Sequence, residues 1–283
     1  VTKLSWKSVL SLVLALPLST GVFLQRGCSD TGGVVHYSNR YEAAQHKTVL
    51  IATSYGQGSG VVVIRKNDLG QKRVFVWTAC HVVEGVSTAK VIINIRNETR
   101  RVGQTIFNGR VIGFSKEIDC ALLWVDAPAD YFVGAEFDSN VPLRVGDTLY
   151  HCGNFLGVSF DGSISMGVVS QLGIFPPDMK GWPWPVADQM TVSIVPGSSG
   201  GPVFNRKNDK VVGLAVGAFP GTDLYIYVPV RALQQVGRIN GTRFAIRGNW
   251  CPSDEVLTKS VKGVPQDVAK IEPDEHSIPG CTD

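Results

Sequence analysis

Val74-Phe75-Val76-Trp77-Thr78-Ala79-Cys80-His81-Val82-Val83 opens with β-branched and aromatic residues and runs into a histidine. Side chains of this kind suit a pleated, half-buried surface, so the spacing predicts a strand that stops at His81. Similar short runs lie on either side: Thr48–Ala52, Val61–Ile64, Val91–Ile95, Ala121–Val125, Val211–Val216 and Leu224–Val228. Asn67-Asp68, Asn108-Gly109, Asp161-Gly162 and Asn208-Asp209 read as turn signals between or beside them. Many short strands with this punctuation predict an all-β barrel or sandwich from Lys47 to Val228. Val230–Val236 reads as a short C-terminal helix.

Composition narrows the class further. The 283 residues are 44% hydrophobic and 18% charged, with 31 glycines, so the chain has material for a real core and is neither disordered nor a long-helix protein. Its 27 Lys and Arg against 24 Asp and Glu give a net charge of +3 without a block of like charges, and no nucleic-acid partner is expected.

Lys3 and Lys7 precede a stretch from Ser8 to Leu24 that carries no charged side chain. A basic start before an apolar run is the pattern of an export signal or a membrane anchor, assigned to residues 1–27, with cleavage expected after Gly21. Gly27-Cys28 as a lipid-attachment site is the lesser alternative. A linker is expected over 28–44, and a loosely structured polar tail over 237–283. The expected location is secreted, periplasmic, or anchored and facing out of the cytoplasm, with membrane contact only through the N-terminal segment.

Three local sequences carry chemistry: the histidine just quoted, Asp119 in Ile118-Asp119-Cys120-Ala121-Leu122-Leu123, and Ser199 in Pro196-Gly197-Ser198-Ser199-Gly200-Gly201-Pro202. A serine hydroxyl is a weak nucleophile until a neighbouring base takes its proton. Histidine titrates near neutrality and suits that task. A carboxylate fixes the imidazole tautomer and stabilises the imidazolium. The glycine-rich turn brings backbone N–H groups, those of Gly197 and Ser199, to the oxygen on which charge develops. Each element alone is better read as an ordinary turn, cap or structural histidine; all three in one β-rich frame point to acyl transfer.

In this arrangement the chain resembles the trypsin/chymotrypsin-like serine peptidases, which share the order His-Asp-Ser. More narrowly it is similar to the Deg/HtrA-type bacterial members. The matching segments are Gly58-Ser59-Gly60-Val61-Val62, Thr78-Ala79-Cys80-His81-Val82-Val83, Asp119-Cys120-Ala121-Leu122-Leu123, Gly153-Asn154-Phe155-Leu156-Gly157, Ser165-Met166-Gly167-Val168-Val169-Ser170 and Gly197–Pro202. The resemblance implies two six-stranded antiparallel barrels within a peptidase domain at 45–236, barrel one at about 45–130 and barrel two at about 140–230. It implies a serine endopeptidase with His81, Asp119 and Ser199 as the triad, Gly197 and Ser199 as the oxyanion donors, and protein or peptide substrates. The alternatives are a catalytically silent binding module on the same fold and a viral or phage processing protease.

Departures from the family pattern refine these expectations. Ser198 stands where digestive enzymes carry an aspartate that pairs with a freshly cut N-terminus, so activation by such a cut is not expected. No PDZ domain is expected after residue 236. The specificity pocket maps to Ser193, Val216, Gly217 and Ala218; none is charged, and cleavage after small or medium apolar residues is expected. Of the six cysteines, at positions 28, 80, 120, 152, 251 and 281, Cys251 and Cys281 are the expected bridge, while Cys80 and Cys120 either bridge or remain thiols. Cys80-His81 with His151-Cys152 does not have the spacing of a zinc finger, and neither a metal nor another cofactor is expected. Asn97-Glu98-Thr99 and Asn240-Gly241-Thr242 are glycosylation sequons.

Overall fold

The computed structural model describes residues 37, 39–97, 100–139, 142–157, 160–174, 186–218 and 222–259. Twelve strands form two closed antiparallel barrels. Barrel one consists of β1 (Thr48–Ala52), β2 (Gln57–Lys66), β3 (Lys72–Thr78), β4 (Thr88–Asn97), β5 (Arg100–Ser115) and β6 (Cys120–Val125). Its order is β1-β2-β3-β6-β5-β4, with β4 closing onto β1. Barrel two consists of β7 (Thr148–Phe155), β8 (Phe160–Ile174), β9 (Ala187–Met190), β10 (Pro202–Asn205), β11 (Val211–Ala218) and β12 (Tyr225–Pro229), ordered β7-β8-β9-β12-β11-β10. The expected double barrel is therefore present.

Closure leaves no free sheet edge, and strands such as β3 and β7 are buried on both faces, one inside the barrel and one against the neighbouring barrel or the tail. Leu50, Phe75, Trp77, Leu122 and Leu123 are fully buried in barrel one; Leu149, Tyr150, Phe204 and Tyr227 are fully buried in barrel two. Side-chain contacts clasp the two barrels together. Asp161 on β8 accepts from Arg96 on β4 and pairs with Arg101 on β5 at 3.3 Å, and Gln45 donates to the Gly162 carbonyl at 2.8 Å.

Two expectations are corrected. The linker expected over 28–44 gives way at its end to helix α1 (Arg40–Lys47), because the Asn39 side chain caps it by accepting from the Tyr41 and Glu42 N–H groups at 2.9 and 3.0 Å. After α2 (Val230–Ile239), the tail is packed rather than loose as far as it is described. Arg65 and Trp77 donate to the carbonyls of Phe244 and Ala245, and Cys251 N–H donates to Lys66 O at 2.8 Å. Helix α3 (Asp254–Lys259) is held by a bidentate pair from Arg73 to Asp254, both contacts 2.7 Å. Within the described residues no helix is long and apolar enough to cross a membrane. The signal or anchor expected at 1–27 lies outside the described residues.

Candidate active site

His81 sits in a single 3-10 turn, Cys80–Val82, directly after β3. The strand ends there because Thr78 is the last residue paired on both sides, to Gly60 and Ala121. Asp119 closes the tight turn between β5 and β6, below the Ser115–Cys120 pair. Its φ of 58° lies in the left-handed region, which a short polar side chain tolerates better than most.

The two residues come together. His81 Nδ1 lies 2.7 Å from Asp119 Oδ2, and the His81 backbone N–H donates to Oδ1 at 2.9 Å. The carboxylate accepts, so Nδ1 carries the hydrogen and Nε2 is left as the basic nitrogen. The imidazole is 45% exposed while the carboxylate is 8% exposed. The imidazole is thus partly open to solvent, and the carboxylate that holds it lies buried behind it.

Ser199 lies in the turn from Pro196 to Gly201, between β9 and β10 of barrel two. Hydrogen bonds inside that barrel shape the turn: Ser198 N–H to Val195 O at 3.0 Å, Gly201 N–H to Ser198 O at 3.0 Å, and Gly200 N–H to Ala215 O at 2.7 Å. Gly200 has φ +83°, and its α-carbon lies against Ala79 N, two residues before His81. A side chain there would strike the strand that delivers the histidine, so only glycine lets the turns approach. The Ser199 hydroxyl has no hydrogen-bond partner among the described residues; catalytic hydrogen bonds are often long before substrate arrives and tighten in the complex.

The expected oxyanion donors follow from peptide planarity, since N–H and C=O of a trans peptide point opposite ways. Pro196 O accepts from Leu156 N–H at 2.8 Å, which aims the Gly197 N–H away from Leu156. Ser198 O is held by Gly201 N–H, which aims the Ser199 N–H in turn. Neither amide donates to any acceptor among the described residues. Leu156 has φ 51°, a strained setting for a bulky residue, and Gly157 follows at φ +74°. In the sequence this segment stands out only by its resemblance; here it contributes one backbone amide, the Leu156 N–H on Pro196 O, which no side-chain pattern reports.

The residues expected to form the specificity pocket are placed as follows. Val216 is buried at the bulge of β11, Gly217 pairs with Ile226, and Ala218 pairs with Tyr225. Ser193 is exposed, and its carbonyl accepts from Ser165 Oγ at 2.7 Å. Val216 and Ala218 present only apolar surface.

Cys80 and Cys120 take the thiol form of their two expected alternatives. Cys80, Cys120, Cys152 and Cys251 are free, buried thiols. Burial pushes Cys80 and Cys152 up to about 12 and Cys251 up to about 11, so all three are neutral near pH 7. The expected Cys251–Cys281 bridge is not formed at Cys251, which is enclosed between barrel one and the packed tail; Cys281 lies outside the described residues. His151 is fully buried; its Nδ1–H donates to Pro202 O at 2.9 Å, and its Nε2 has no partner among the described residues. Desolvation lowers it to about 4. Among the described residues no group of three or more His, Cys, Asp or Glu is gathered for a metal.

The trypsin-like peptidase domain model matches residues 58–214, a span that includes His81, Asp119 and Ser199. The chain belongs to the trypsin-like peptidase family. It is similar to Protease Do-like 1, chloroplastic, of Arabidopsis thaliana: 28% identical over 210 residues, covering 74% of this chain and 42% of that protein. It is also similar to the putative serine protease HhoA of Synechocystis, 28% identical over 193 residues, covering 66% and 44%. The peptidase thus spans less than half the length of these curated relatives. Among solved structures, Deg5 superposes with a TM-score of 0.55 at 21% identity, over 74% of this chain and 94% of that one. The serine endoprotease from Yersinia pestis gives 0.54 at 19% identity, over 73% and 68%. At such identities these two support the fold alone.

Proposed function

We propose that this peptidase is a serine endopeptidase that hydrolyses peptide bonds through an acyl-enzyme. Ser199 Oγ attacks the scissile carbonyl and His81 Nε2 takes its proton. Asp119 holds the ring in the required tautomer, and the Gly197 and Ser199 N–H groups receive the oxyanion. His81 then gives its proton to the leaving amine, and water repeats the sequence on the ester. The observation that carries this reading is the two-point contact of Asp119 on His81, set beside a nucleophile turn with two unengaged amides.

Family membership supports the same reaction. The uncharged pocket residues Ser193, Val216, Gly217 and Ala218 favour small or medium apolar side chains before the cleaved bond. Relatives named as chloroplastic and as periplasmic, together with the export-like start of the chain, support a location outside the cytoplasm or within an organelle, where protein or peptide substrates are met.

The test is labelling with a fluorophosphonate probe. Wild type is expected to label and Ser199→Ala is not. Cleavage-site profiling then reads the preference at the cut bond, and a preference for Arg or Lys would overturn the pocket assignment. A folded wild-type protein that neither labels nor cleaves would overturn the endopeptidase reading.

A further inference from the structure

Gly197 is the residue whose N–H the oxyanion needs, and its φ of +92° is one that glycine visits freely. Nothing intrinsic to such a residue fixes the peptide planes on either side of it, so outside groups must. On the N-terminal side the tether is Leu156 N–H on Pro196 O, within the same barrel. On the C-terminal side it comes from the other barrel: Ser59 Oγ on β2 donates to Gly197 O at 2.8 Å.

Ser59 is 0% exposed, and its bonding capacity is used. Its hydroxyl donates once, to Gly197 O, and accepts from Asn154 N–H at 2.8 Å and Asn154 Nδ2 at 3.1 Å. Its backbone N–H donates to Ser199 O at 2.7 Å, and its carbonyl accepts from Thr78 Oγ1 at 2.7 Å. One residue of barrel one therefore holds the carbonyls of both Gly197 and Ser199. The close approach depends on Gly58 beside it, where a Cβ would lie 2.9 Å from Ser199 O. Asn154 is itself buried and tied across the interface by Nδ2 to Val49 O at 2.9 Å.

We infer that Ser59 is a positioning residue: its hydroxyl, seated on Asn154, sets the oxyanion turn of barrel two from barrel one, so that docking of the barrels and readiness of the oxyanion pocket are one event. This rests on the reading of Ser199 as the nucleophile. The backbone bond to Ser199 O survives removal of the side chain, so Ser59→Ala releases only the Gly197 and Asn154 contacts. The barrels remain docked in that variant while Gly197 loses its second tether.

The experiment compares wild type, Ser59→Ala, Ser59→Cys and Gln45→Ala, the last removing a bond from α1 to barrel two that touches neither Gly197 nor Ser199. Ser59→Ala is expected to lower kcat by about 10- to 100-fold, below the 10²–10³ typical of deleting an oxyanion donor outright, with KM within about twofold. Its affinity for a peptidyl trifluoromethyl ketone, which needs the oxyanion pocket, is expected to fall by the same factor. Its affinity for the product peptide is expected to stay unchanged. Ser59→Cys, with a weaker donor, is expected between the two, and it carries the test alone if Ser59→Ala does not fold. Gln45→Ala is expected to lose thermal stability with kcat unchanged. Equal losses in ketone and product affinity, or a Gln45→Ala loss of kcat as large as that of Ser59→Ala, would reduce Ser59 to interface packing and overturn the proposal. Failure of the underlying reading has a different signature: wild type itself is unlabelled by fluorophosphonate, and the positioning role then falls with it.

Discussion

Asp119 meets His81 at two points, its Oδ2 on the ring Nδ1 at 2.7 Å and its Oδ1 on the backbone N–H at 2.9 Å. The backbone contact fixes the carboxylate, and the ring contact fixes the tautomer. Asp119→Asn keeps a side chain that tolerates φ 58° and can still accept from the His81 N–H. Its amide donor, however, faces Nδ1 and favours the wrong tautomer. We expect kcat to fall about 10⁴-fold with little change in Tm. Steady-state cleavage of a chromogenic ester or peptide, beside thermal melts, checks this; activity within tenfold of wild type would mean that Asp119 does not orient the base.

Ser198 satisfies itself within its own turn, donating to Val195 O at 2.7 Å and accepting from Val195 N–H at 3.2 Å. No charge pair is involved. We expect Ser198→Ala to label with fluorophosphonate at Ser199 and to lose about 1 kcal/mol of stability. A folded variant with no labelling would show that this hydroxyl is needed to form the site.

His151 gives stability a defined acid limit. Its folded value of about 4 is below that of an unfolded histidine, about 6.5. As pH falls from 6.5 towards 4 the unfolded chain takes up a proton that the folded chain excludes, and stability is lost over that window, by about 3 kcal/mol at most. We expect denaturant melts at pH 7 and pH 4 to differ less in His151→Gln than in wild type by an amount of that order. Equal acid losses in the two proteins would contradict the burial argument.

The four described cysteines are shielded thiols rather than bridges. Reduction with dithiothreitol should leave activity unchanged. Iodoacetamide at pH 8 should leave Cys80, Cys120, Cys152 and Cys251 unmodified until denaturant is added, since thiolate is the reacting form and burial suppresses it. Peptide mapping by mass spectrometry reads each site; rapid native modification of Cys80 would show that the turn beside His81 opens.

Strands were legible where both faces are buried. Thr48–Ala52 appears in the structure with the bounds its apolar run suggested, and Val74–Trp77 lies inside β3. The long β5 was not legible, because outward residues such as Gln104, Asn108 and Arg110 dilute its pattern. Asn108-Gly109, expected as a turn, lies inside that strand; a Cβ at Gly109 would press on Leu123 and Val91, so the glycine serves packing rather than reversal. The histidine and aspartate were legible because each ends or begins an apolar strand. Ser59, Asn154 and the Leu156 amide were not, because their importance lies in which carbonyl each reaches across long stretches of chain.

The segment from Arg243 to Lys259 acts as a buttress on barrel one, with consequences for any shortened version of the peptidase. Ending the chain at residue 236, where the strands are already complete, would expose Phe75 and Trp77 to water and strip Arg73 of its carboxylate partner. Such a fragment would retain every residue proposed for chemistry and still be prone to aggregate, so expression boundaries belong beyond Lys259 rather than at the last strand.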